Sequence, residues 1–249
     1  MKLLAIDCST DRMSVALANG DLRWQHEGAG GAQASAALIP AIMGLLQEAQ
    51  LGLQQLDAIA FGRGPGAFTG LRTACAVAQG LALGAKLRLL PIDSLLMLAH
   101  ASRSSTPSLR EAQRRSNPPF DRVLSVLDAR MGQVYAAAYE HGPEGWRCLQ
   151  APSLRQPGAL VLPEEWQGQG FVLASNAHAI YQEAFASTLS QGGLAIEAWP
   201  QALAMLDLAA SAYERGESVS PAEALPLYVR DKVALTSAER LAANVSRSA

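Results

Sequence analysis

Short apolar runs of strand length recur along the chain, and between them lie segments in which apolar residues return every three or four positions. In the first half this pattern predicts five strands, at residues 3–6, 13–18, 21–26, 56–61 and 87–92. Helical spacing predicts three helices there, at residues 35–50, 73–83 and 94–102. The pair Asn19-Gly20 predicts a hairpin between the second and third strands, because both residues tolerate positive φ. The chain is therefore expected to open with a three-stranded meander, followed by helices that alternate with strands.

The second half repeats this order more loosely. It has predicted strands at residues 122–127, 133–139, 146–149, 171–174 and 194–198, and predicted helices at residues 177–189 and 203–213. A linker is predicted at residues 103–119, which hold five Ser or Thr, three Pro and four Arg without an apolar period. We therefore predict α/β subdomains at residues 1–102 and 120–202, with residues 203–249 packing back on the first. A duplicated α/β unit of this order is typical of the actin-like ATPase (ASKHA) and ribonuclease H-like folds.

Composition narrows the class of protein. Hydrophobic residues make up 49 % and charged residues 17 % of the 249 positions, which favours a sizeable core and argues against disorder. The net charge of -2 lacks the basic excess of a protein that wraps nucleic acid by itself. Three separated cysteines and the absence of any apolar run of about 20 residues indicate neither a disulfide framework nor a membrane span. We therefore expect a cytoplasmic protein that does not enter a membrane.

Two motifs of the first half have the chemistry of a phosphate site. Asp7, Ser9 and Thr10 follow the first strand, where actin-like folds place an acidic residue and hydroxyl donors near a metal-bound phosphate. A glycine loop at residues 62–72 follows the fourth strand and leads into a helix, and the N–H groups at a helix start bind anions. Its candidate nucleotide-binding residues are Gly64, Pro65, Gly66, Phe68, Thr69, Gly70 and Arg72.

Neither motif is specific by itself. The glycine loop lacks the Lys-Ser/Thr pair of a Walker A motif, and Ala67 stands where a GxGxxG motif needs its third glycine. The structural alternative for the loop is a tight turn at residues 64–66 with Phe68 packed beneath it. The alternative for the Asp7 motif is a turn whose side chains satisfy their own backbone.

A hairpin motif in the second half resembles the Asp7 motif. Asp128 ends the first strand of its unit as Asp7 does, and Arg130 follows two residues later. An exposed Asp–Arg pair contributes only about 0–1 kcal/mol, so a plain turn is the alternative to a functional site. Residues 226–230 form an extended segment to which local chemistry assigns no role. The four histidines have no metal-ligand spacing and no GxSxG motif occurs, so we predict no metal site and no catalytic residue.

Together these four motifs resemble the signatures of the TsaB (YeaZ) family of bacterial tRNA threonylcarbamoyladenosine biosynthesis proteins. The residues at 62–72, GRGPGAFTGLR, resemble the family's GRGPGSFTGLR, with Ala67 in place of the usual Ser. The other resemblances are IDCST at residues 6–10 to IDTST, DARMGQVY at residues 128–135 to DARRGEVY, and PLYVR at residues 226–230 to PxYLR. The motifs keep the family's order and span nearly the whole chain, so their combination is specific.

The resemblance implies an actin-like fold shared with TsaD, the catalytic paralogue. It implies a non-catalytic subunit that binds and activates TsaD, which with the small ATPase TsaE transfers threonylcarbamoyl from its adenylate to tRNA. The acceptor is the adenosine that follows the anticodon in tRNAs reading codons that begin with A. TsaD holds a metal through a histidine pair, and the matching stretch here, residues 93–98, contains no histidine. The resemblance therefore implies no metal and no required cofactor in this chain, with weak or vestigial nucleotide binding left open.

Members of the family pair through the helices before and after the glycine motif, predicted here at residues 35–50 and 73–83. The side chains expected to contact TsaD, or a second copy in a homodimer, are Leu38, Ile42, Met43, Leu45, Leu46, Ala74, Val77 and Leu81. The alternative is that these faces bury against the chain's own sheet, and a helix that is apolar on more than one stripe suggests both. The tRNA is expected to contact this chain only through the complex.

Other classes of protein remain alternatives. An actin-like ATPase or small-molecule kinase would need a working nucleotide pocket, which the weakened phosphate motifs argue against. A metallopeptidase would need histidine ligands that the sequence does not place together. A purely structural homodimer would need no partner protein.

Overall fold

The computed structural model describes residues 1–104 and 121–230. Most of the predicted linker at residues 103–119 and all of residues 231–249 lie outside the described residues. The described part of the chain contains two five-stranded sheets. Each sheet combines an antiparallel meander with two parallel strands.

The first sheet is built from residues 2–93. Its strands are β1 (Lys2–Asp7), β2 (Arg12–Asn19), β3 (Leu22–Ala29), β4 (Ala58–Gly64) and β5 (Arg88–Asp93). The first three form the predicted meander, and β4 and β5 extend the sheet in parallel beyond β1, in the order β3-β2-β1-β4-β5. Both faces of β1 and β4 are buried, as expected for strands covered by helices on two sides.

The hairpin between β2 and β3 turns one residue later than the sequence predicts. Asn19 pairs with Leu22, so the turn residues are Gly20 and Asp21 rather than Asn19 and Gly20. Gly20 has a φ of 61°, in the left-handed region that glycine enters without strain. Glycine at the first central position is one of the two preferred forms of a two-residue hairpin turn.

Two helices cover one face of the first sheet. They are α1 (Ala34–Glu48), which contains Pro40 in its interior, and α2 (Phe68–Ala85). The helix α2 starts five residues before the predicted residue 73 and ends at Ala85, and Lys86 follows it in the left-handed conformation. The sequence did not predict the start of α2 at Phe68, because the glycines and the proline around it are typical of loops. A third helix, α3 (Ser94–Ser104), follows β5 and packs on the second sheet.

The second sheet repeats the topology of the first. Its strands are β6 (Arg122–Asp128), β7 (Val134–Gly142), β8 (Gly145–Arg155), β9 (Phe171–Ser175) and β10 (Gly193–Glu197), in the order β10-β9-β6-β7-β8. The helix α4 (His178–Leu189) joins β9 to β10 as α2 joins β4 to β5. Two short 3₁₀ turns, Pro157–Ala159 and Glu164–Trp166, stand where the first unit has α1.

The chain then returns to the first sheet. The helix α5 (Ala202–Glu214) packs on the face opposite α1 and α2, where Met205 and Ala209 join a cluster that includes Leu3 and Ala5 of β1. Val219 then bridges Leu89 of β5. Among the described residues no helix is long and apolar enough to cross a membrane.

Candidate functional site between the two units

The four sequence motifs, which are far apart in the chain, meet between the two sheets. The contacts that join them are Ala67 N–H to Ser9 O at 2.7 Å, Arg130 to Asp11 at 3.9 Å, Leu227 N–H to Arg63 O at 2.6 Å, and Arg230 to Ala129 O at 3.0 Å. The site is therefore assembled from the end of β1, the glycine loop, the hairpin between β6 and β7, and the 226–230 segment.

Asp7 ends β1 but does not face the space between the units. Its side chain is buried, and Ser9 donates both its backbone N–H and its hydroxyl to Asp7 Oδ1, at 3.1 and 2.9 Å. Asp7 Oδ2 has no hydrogen-bond partner among the described residues, and a Cβ atom on Gly62 would lie 2.0 Å from it. Burial raises the pKa of Asp7 to about 6, against the opposing effect of the Ser9 hydrogen bonds. The protein's own residues thus surround the Asp7 carboxylate, which the sequence predicted to lie near a metal-bound phosphate.

The polar side chains beside Asp7 are also engaged inside the turn. The Ser9 hydroxyl donates to Asp7, and the Thr10 hydroxyl accepts the N–H of Arg12 at 3.1 Å. Burial, together with the nearby charge of Asp7, raises the pKa of the Cys8 thiol to about 12. Cys8 therefore stays protonated near neutral pH and lacks the thiolate that a nucleophile needs.

The glycines of the loop serve close packing between two backbone segments. A Cβ atom at Gly66 would lie 2.3 Å from Ser9 O, and one at Gly70 would lie 1.8 Å from Cys8 O. Because Ala67 N–H donates to Ser9 O, this backbone donor is engaged within the chain. The space over the loop is therefore filled by residues 8–9, where a phosphate-binding loop would leave room for its ligand.

The other predicted loop residues have varied positions. Gly64 has a φ of 115° and no room for a Cβ atom, which would lie 2.7 Å from Leu227 O. Pro65 is buried, whereas Thr69 is exposed in the first turn of α2. Phe68 is 37 % exposed on the surface, so the alternative that it packs beneath the turn is wrong. The helix start at residue 68 turns its side chain outward.

Asp128 occupies the same topological position as Asp7 but has partners on both oxygens. Its Oδ1 accepts the N–H of Arg130 at 2.9 Å and the Tyr181 hydroxyl at 3.3 Å, and its Oδ2 lies 3.2 Å from the Arg130 guanidinium. Arg130 and Met131 both have left-handed φ values, 61° and 57°, which cost energy for residues with side chains. The carboxylate and the guanidinium therefore hold a tight hairpin in place.

Local chemistry assigned no role to the 226–230 segment, but the segment forms hydrogen bonds to both the hairpin and the helix α2. Arg230 donates to Ala129 O and, at 2.9 Å, to Gln133 Oε1, so it spans the strained hairpin. Tyr228 accepts a hydrogen bond from Arg72 Nε at 3.0 Å. These contacts link residues about 100 or more positions apart, and no local pattern could have predicted them.

The cleft between the units has a cavity volume of about 90 Å³ and a mixed lining. Its polar and aromatic side chains include Asp11, Asp128, Arg130, Tyr135, Asn176 and Trp199. Arg130 is the positively charged side chain among these described lining residues, and both Asp128 and Asp11 lie beside it. An incoming phosphate would compete with two carboxylates for that arginine, which disfavours anion binding.

Five of the predicted partner residues belong to the core. Leu38, Ile42, Leu45, Leu46 and Ala74 are buried against the first sheet, and Val77 and Leu81 are half-buried beside them. The alternative that these faces bury against the chain's own sheet therefore describes most of the set, since the apolar stripe of a helix marks its core side. Of the eight, Met43 alone is largely exposed, at 53 %.

The exposed sides of α1 and α2 carry a different set of apolar residues. Ile39 and Met43 of α1 are 49 % and 53 % exposed, and Leu83 of α2 is 74 % exposed. Gly44, Gly80 and Gly84 lie on the same helices, and a Cβ atom at any of them would meet nothing within 4 Å. We call these six residues the α1–α2 face. Ile39 and Leu83 were not among the predicted partner residues, although their offset from the core stripe was a usable signal.

The stretch that matches the metal-binding part of TsaD is apolar core. Leu95, Met97 and Leu98 at the start of α3 are completely buried, and Asp93 forms an ion pair with Arg63. Within residues 1–104 and 121–230, no group of three or more His, Cys, Asp or Glu side chains is placed to hold a metal ion.

Known proteins are similar to this chain in sequence and in fold. The solved structure of YeaZ from Pseudomonas aeruginosa has a TM-score of 0.78 and 33 % identity, covering 91 % of this chain and 99 % of that chain. The tRNA threonylcarbamoyladenosine biosynthesis protein TsaB of Escherichia coli K12 is 30 % identical over 246 residues, 94 % of this chain and 96 % of that protein. Its namesake from Haemophilus influenzae is 31 % identical over 241 residues, 94 % of this chain and 95 % of that protein.

The family described as TsaD, tRNA N6-adenosine threonylcarbamoyltransferase, matches residues 30–245. Two mixed α/β units of one topology, together with these matches, define an actin-like ATPase, ribonuclease H-like fold, as the sequence predicted. Within that class, the chain belongs to the TsaB (YeaZ) family of tRNA threonylcarbamoyladenosine biosynthesis proteins. The family predicted from the four motifs is therefore confirmed.

Proposed function

We propose that the chain is a non-catalytic subunit that binds and activates TsaD through the α1–α2 face. The supporting observation is that this face exposes Ile39, Met43 and Leu83 while the sides of both helices that carry Leu38 and Ala74 are already buried. Exposed apolar side chains on neighbouring elements are typical of a protein interface.

The glycines of the α1–α2 face support the same proposal. A glycine in a helix interior costs about 1 kcal/mol relative to alanine. Nothing in the described part of the chain occupies the space where the Cβ atoms of Gly44, Gly80 and Gly84 would lie. The chain's own packing does not explain these glycines, whereas close approach of a partner helix does.

The proposed role is accessory to chemistry that TsaD carries out. Acyl transfer to an exocyclic amine needs an activating metal or a general base. The stretch at residues 93–98 offers packed apolar side chains, and both hydroxyls of the Asp7 turn are engaged within the chain. We therefore propose that TsaD and TsaE act together with this chain in the cytoplasm, that tRNA reaches it only through the complex, and that it needs no cofactor of its own.

The alternative of an actin-like ATPase or kinase has weaker support. The glycine loop packs directly on the backbone of residues 8–9, and Arg130 already has two carboxylates beside it. A homodimer through the same face is compatible with the proposal, because two copies would bury each other's Ile39, Met43 and Leu83 when TsaD is absent.

The test is reconstitution of tRNA threonylcarbamoylation with TsaD and TsaE from the same organism, leaving out each component in turn. We expect product only when this chain is present, and neither product nor ATP turnover from the chain alone. Product without the chain, or ATP turnover by the chain alone, would overturn the proposal.

Two variants locate the surface. Met43→Glu and Leu83→Glu place a charge on the α1–α2 face, and we expect each to weaken TsaD binding at least about tenfold and to lower product formation. Leu22→Glu is the matched control, because Leu22 is an equally exposed apolar residue outside this face. Equal losses in all three variants would contradict the assignment of the surface.

A further inference from the structure

A second apolar surface lies next to the cleft, with which it shares Ala129, Arg130 and Tyr135. It is a groove of about 250 Å³ lined by Phe68 and Leu71 of α2, Met131 of the hairpin, and Leu227 and Tyr228 of the 226–230 segment. We call it the 68/131/228 groove. Met131 is 75 % and Tyr228 46 % exposed, so large apolar side chains face water along its rim.

Two arginines line this groove, and one of them, Arg130, is already paired with Asp128 and Asp11. No carboxylate lines the groove among the described residues, whereas Arg130 and Arg230 do. Arg230 donates to neutral acceptors, which are Ala129 O, Arg130 O, Gln133 Oε1 and Met131 Sδ. It has no carboxylate within ion-pair distance in the described part of the chain. Among the described side chains, no carboxylate therefore neutralises its positive charge.

A third arginine stands at the rim. The guanidinium of Arg72 lies 3.8 Å from the centre of the Phe68 ring, and its Nε donates to the Tyr228 hydroxyl at 3.0 Å. Within residues 1–104 and 121–230 neither of its terminal nitrogens has an acceptor. Phe68 and Tyr228 thus hold this guanidinium in one orientation, so its terminal nitrogens are ready to bind a carboxylate with little loss of entropy.

We propose that the 68/131/228 groove binds an extended segment of a partner protein in which apolar side chains are flanked by carboxylates. The apolar lining takes the apolar side chains, and Met131, with its flexible thioether, adapts to their shape. Arg72 and Arg230 take the carboxylates, because charge-assisted pairs next to apolar surface are stronger than pairs in open water.

The geometry favours a peptide over single-stranded RNA. Arg72 covers one face of the Phe68 ring, and the Tyr228 ring packs against the same side chain at 5.4 Å, so Phe68 is a poor platform for a stacked base. The net charge of -2 also lacks the cationic track that a nucleic acid backbone requires.

The test is an NMR titration of the full chain, labelled with ¹⁵N, without TsaD or TsaE. The probes are the peptide acetyl-Glu-Leu-Phe-Glu-amide, its charge-reversed form acetyl-Lys-Leu-Phe-Lys-amide, and the oligonucleotide rA6. We expect the acidic peptide to shift the amide signals of Phe68, Met131 and Tyr228 and to bind at least about tenfold more tightly than the basic peptide. Because no partner subunit is used, this outcome is independent of the proposed activation of TsaD.

Substitutions of two exposed residues, Met131 and Arg72, test whether the peptide binds in the groove. Met131→Asn removes an apolar wall with a residue that tolerates positive φ, and Arg72→Gln removes the rim charge while keeping an amide donor near Tyr228. We expect each to weaken binding of the acidic peptide about tenfold. Leu22→Asn and Arg147→Gln are matched controls, since both residues are exposed and lie outside the groove, and they should bind as the unmodified chain does.

Three outcomes would overturn the proposal. Equal affinity for the acidic and basic peptides would remove the charge argument. Unchanged affinity in both Met131→Asn and Arg72→Gln would place the peptide elsewhere. Tighter binding of rA6 than of the acidic peptide, with shifts at the same amides, would make the groove a nucleic-acid surface.

Discussion

The first strands of the two units, β1 and β6, end in aspartates that occupy equivalent positions but have opposite surroundings. Asp7 is buried and has a pKa raised to about 6 by burial, and one of its oxygens has no partner among the described residues. Asp128 has partners on both oxygens and lines the cleft. Equal topology has therefore produced one enclosed carboxylate and one that organises a hairpin.

The connections that follow explain this difference. After β4 the chain packs its backbone directly on residues 8–9, which requires glycine at positions 66 and 70 and closes the space around Asp7. The equivalent turn after β9 has Asn176 instead, whose side-chain oxygen accepts the N–H of Asp128 at 3.0 Å. The first unit thus closes its strand end by backbone contact, and the second does so by side-chain hydrogen bonds. A close backbone contact tolerates substitutions much less well than a side-chain hydrogen bond does.

The largest effect is expected from Gly70→Ala. A Cβ atom 1.8 Å from Cys8 O must push α2 away from β1, and we expect the free energy of unfolding to fall by about 3 kcal/mol. Gly80→Ala is the control in the same helix, where open space and better helix propensity should raise the free energy of unfolding by about 0.5 to 1 kcal/mol. Urea unfolding followed by circular dichroism measures both. Similar changes in the two variants would refute the role of backbone contact.

Asp7→Asn should have the next largest effect, in the stabilising direction. A rise in pKa from 3.8 to about 6 corresponds to about 3 kcal/mol of unfavourable free energy when the carboxylate is charged in the folded state. Asparagine keeps an oxygen for the Ser9 hydrogen bonds and carries no charge. We therefore expect the free energy of unfolding at pH 7.5 to rise by about 1 to 3 kcal/mol, after allowance for a buried amide.

The pH dependence of the free energy of unfolding tests independently whether the Asp7 carboxylate is destabilising. Between pH 4 and 6 the folded state holds a proton on Asp7 that the unfolded state has released, so the stability contributed by this group falls as pH rises through that window. Unfolding curves at several pH values should show this decline in the unmodified chain and its loss in Asp7→Asn. An unchanged pH profile in the variant would show that Asp7 is not the titrating group.

Asp128→Asn should have the smallest effect, and a destabilising one. It loses the charge opposite Arg130, whose guanidinium is largely exposed, but keeps an oxygen for the Arg130 N–H. We expect a loss of about 0.5 to 1 kcal/mol, with faster amide hydrogen exchange confined to residues 129–133. If Asp128→Asn stabilises the chain as Asp7→Asn does, the contrast between the two aspartates is wrong.

Much of the fold was accessible from local patterns. The apolar runs and helical spacings predicted all ten strands and five helices of the described residues, most of them to within a few positions. Repetition of one element order predicted the duplicated architecture. Four short motifs identified the family, because glycine, proline and aspartate at fixed offsets reflect backbone requirements that are local to each motif.

Burial and long-range contacts were decided by the tertiary structure. The apolar stripes of α1 and α2 predicted a partner surface, yet Leu38 and Ile42 face the chain's own sheet. The large exposed apolar residues of the α1–α2 face are Met43, which was predicted, and Ile39 and Leu83, which were not. Periodicity shows that a helix has an apolar side but not what covers it. The enclosure of Asp7 and the contacts of Arg230 likewise depend on segments that meet only after folding, and such proximity leaves no local trace in the amino-acid order.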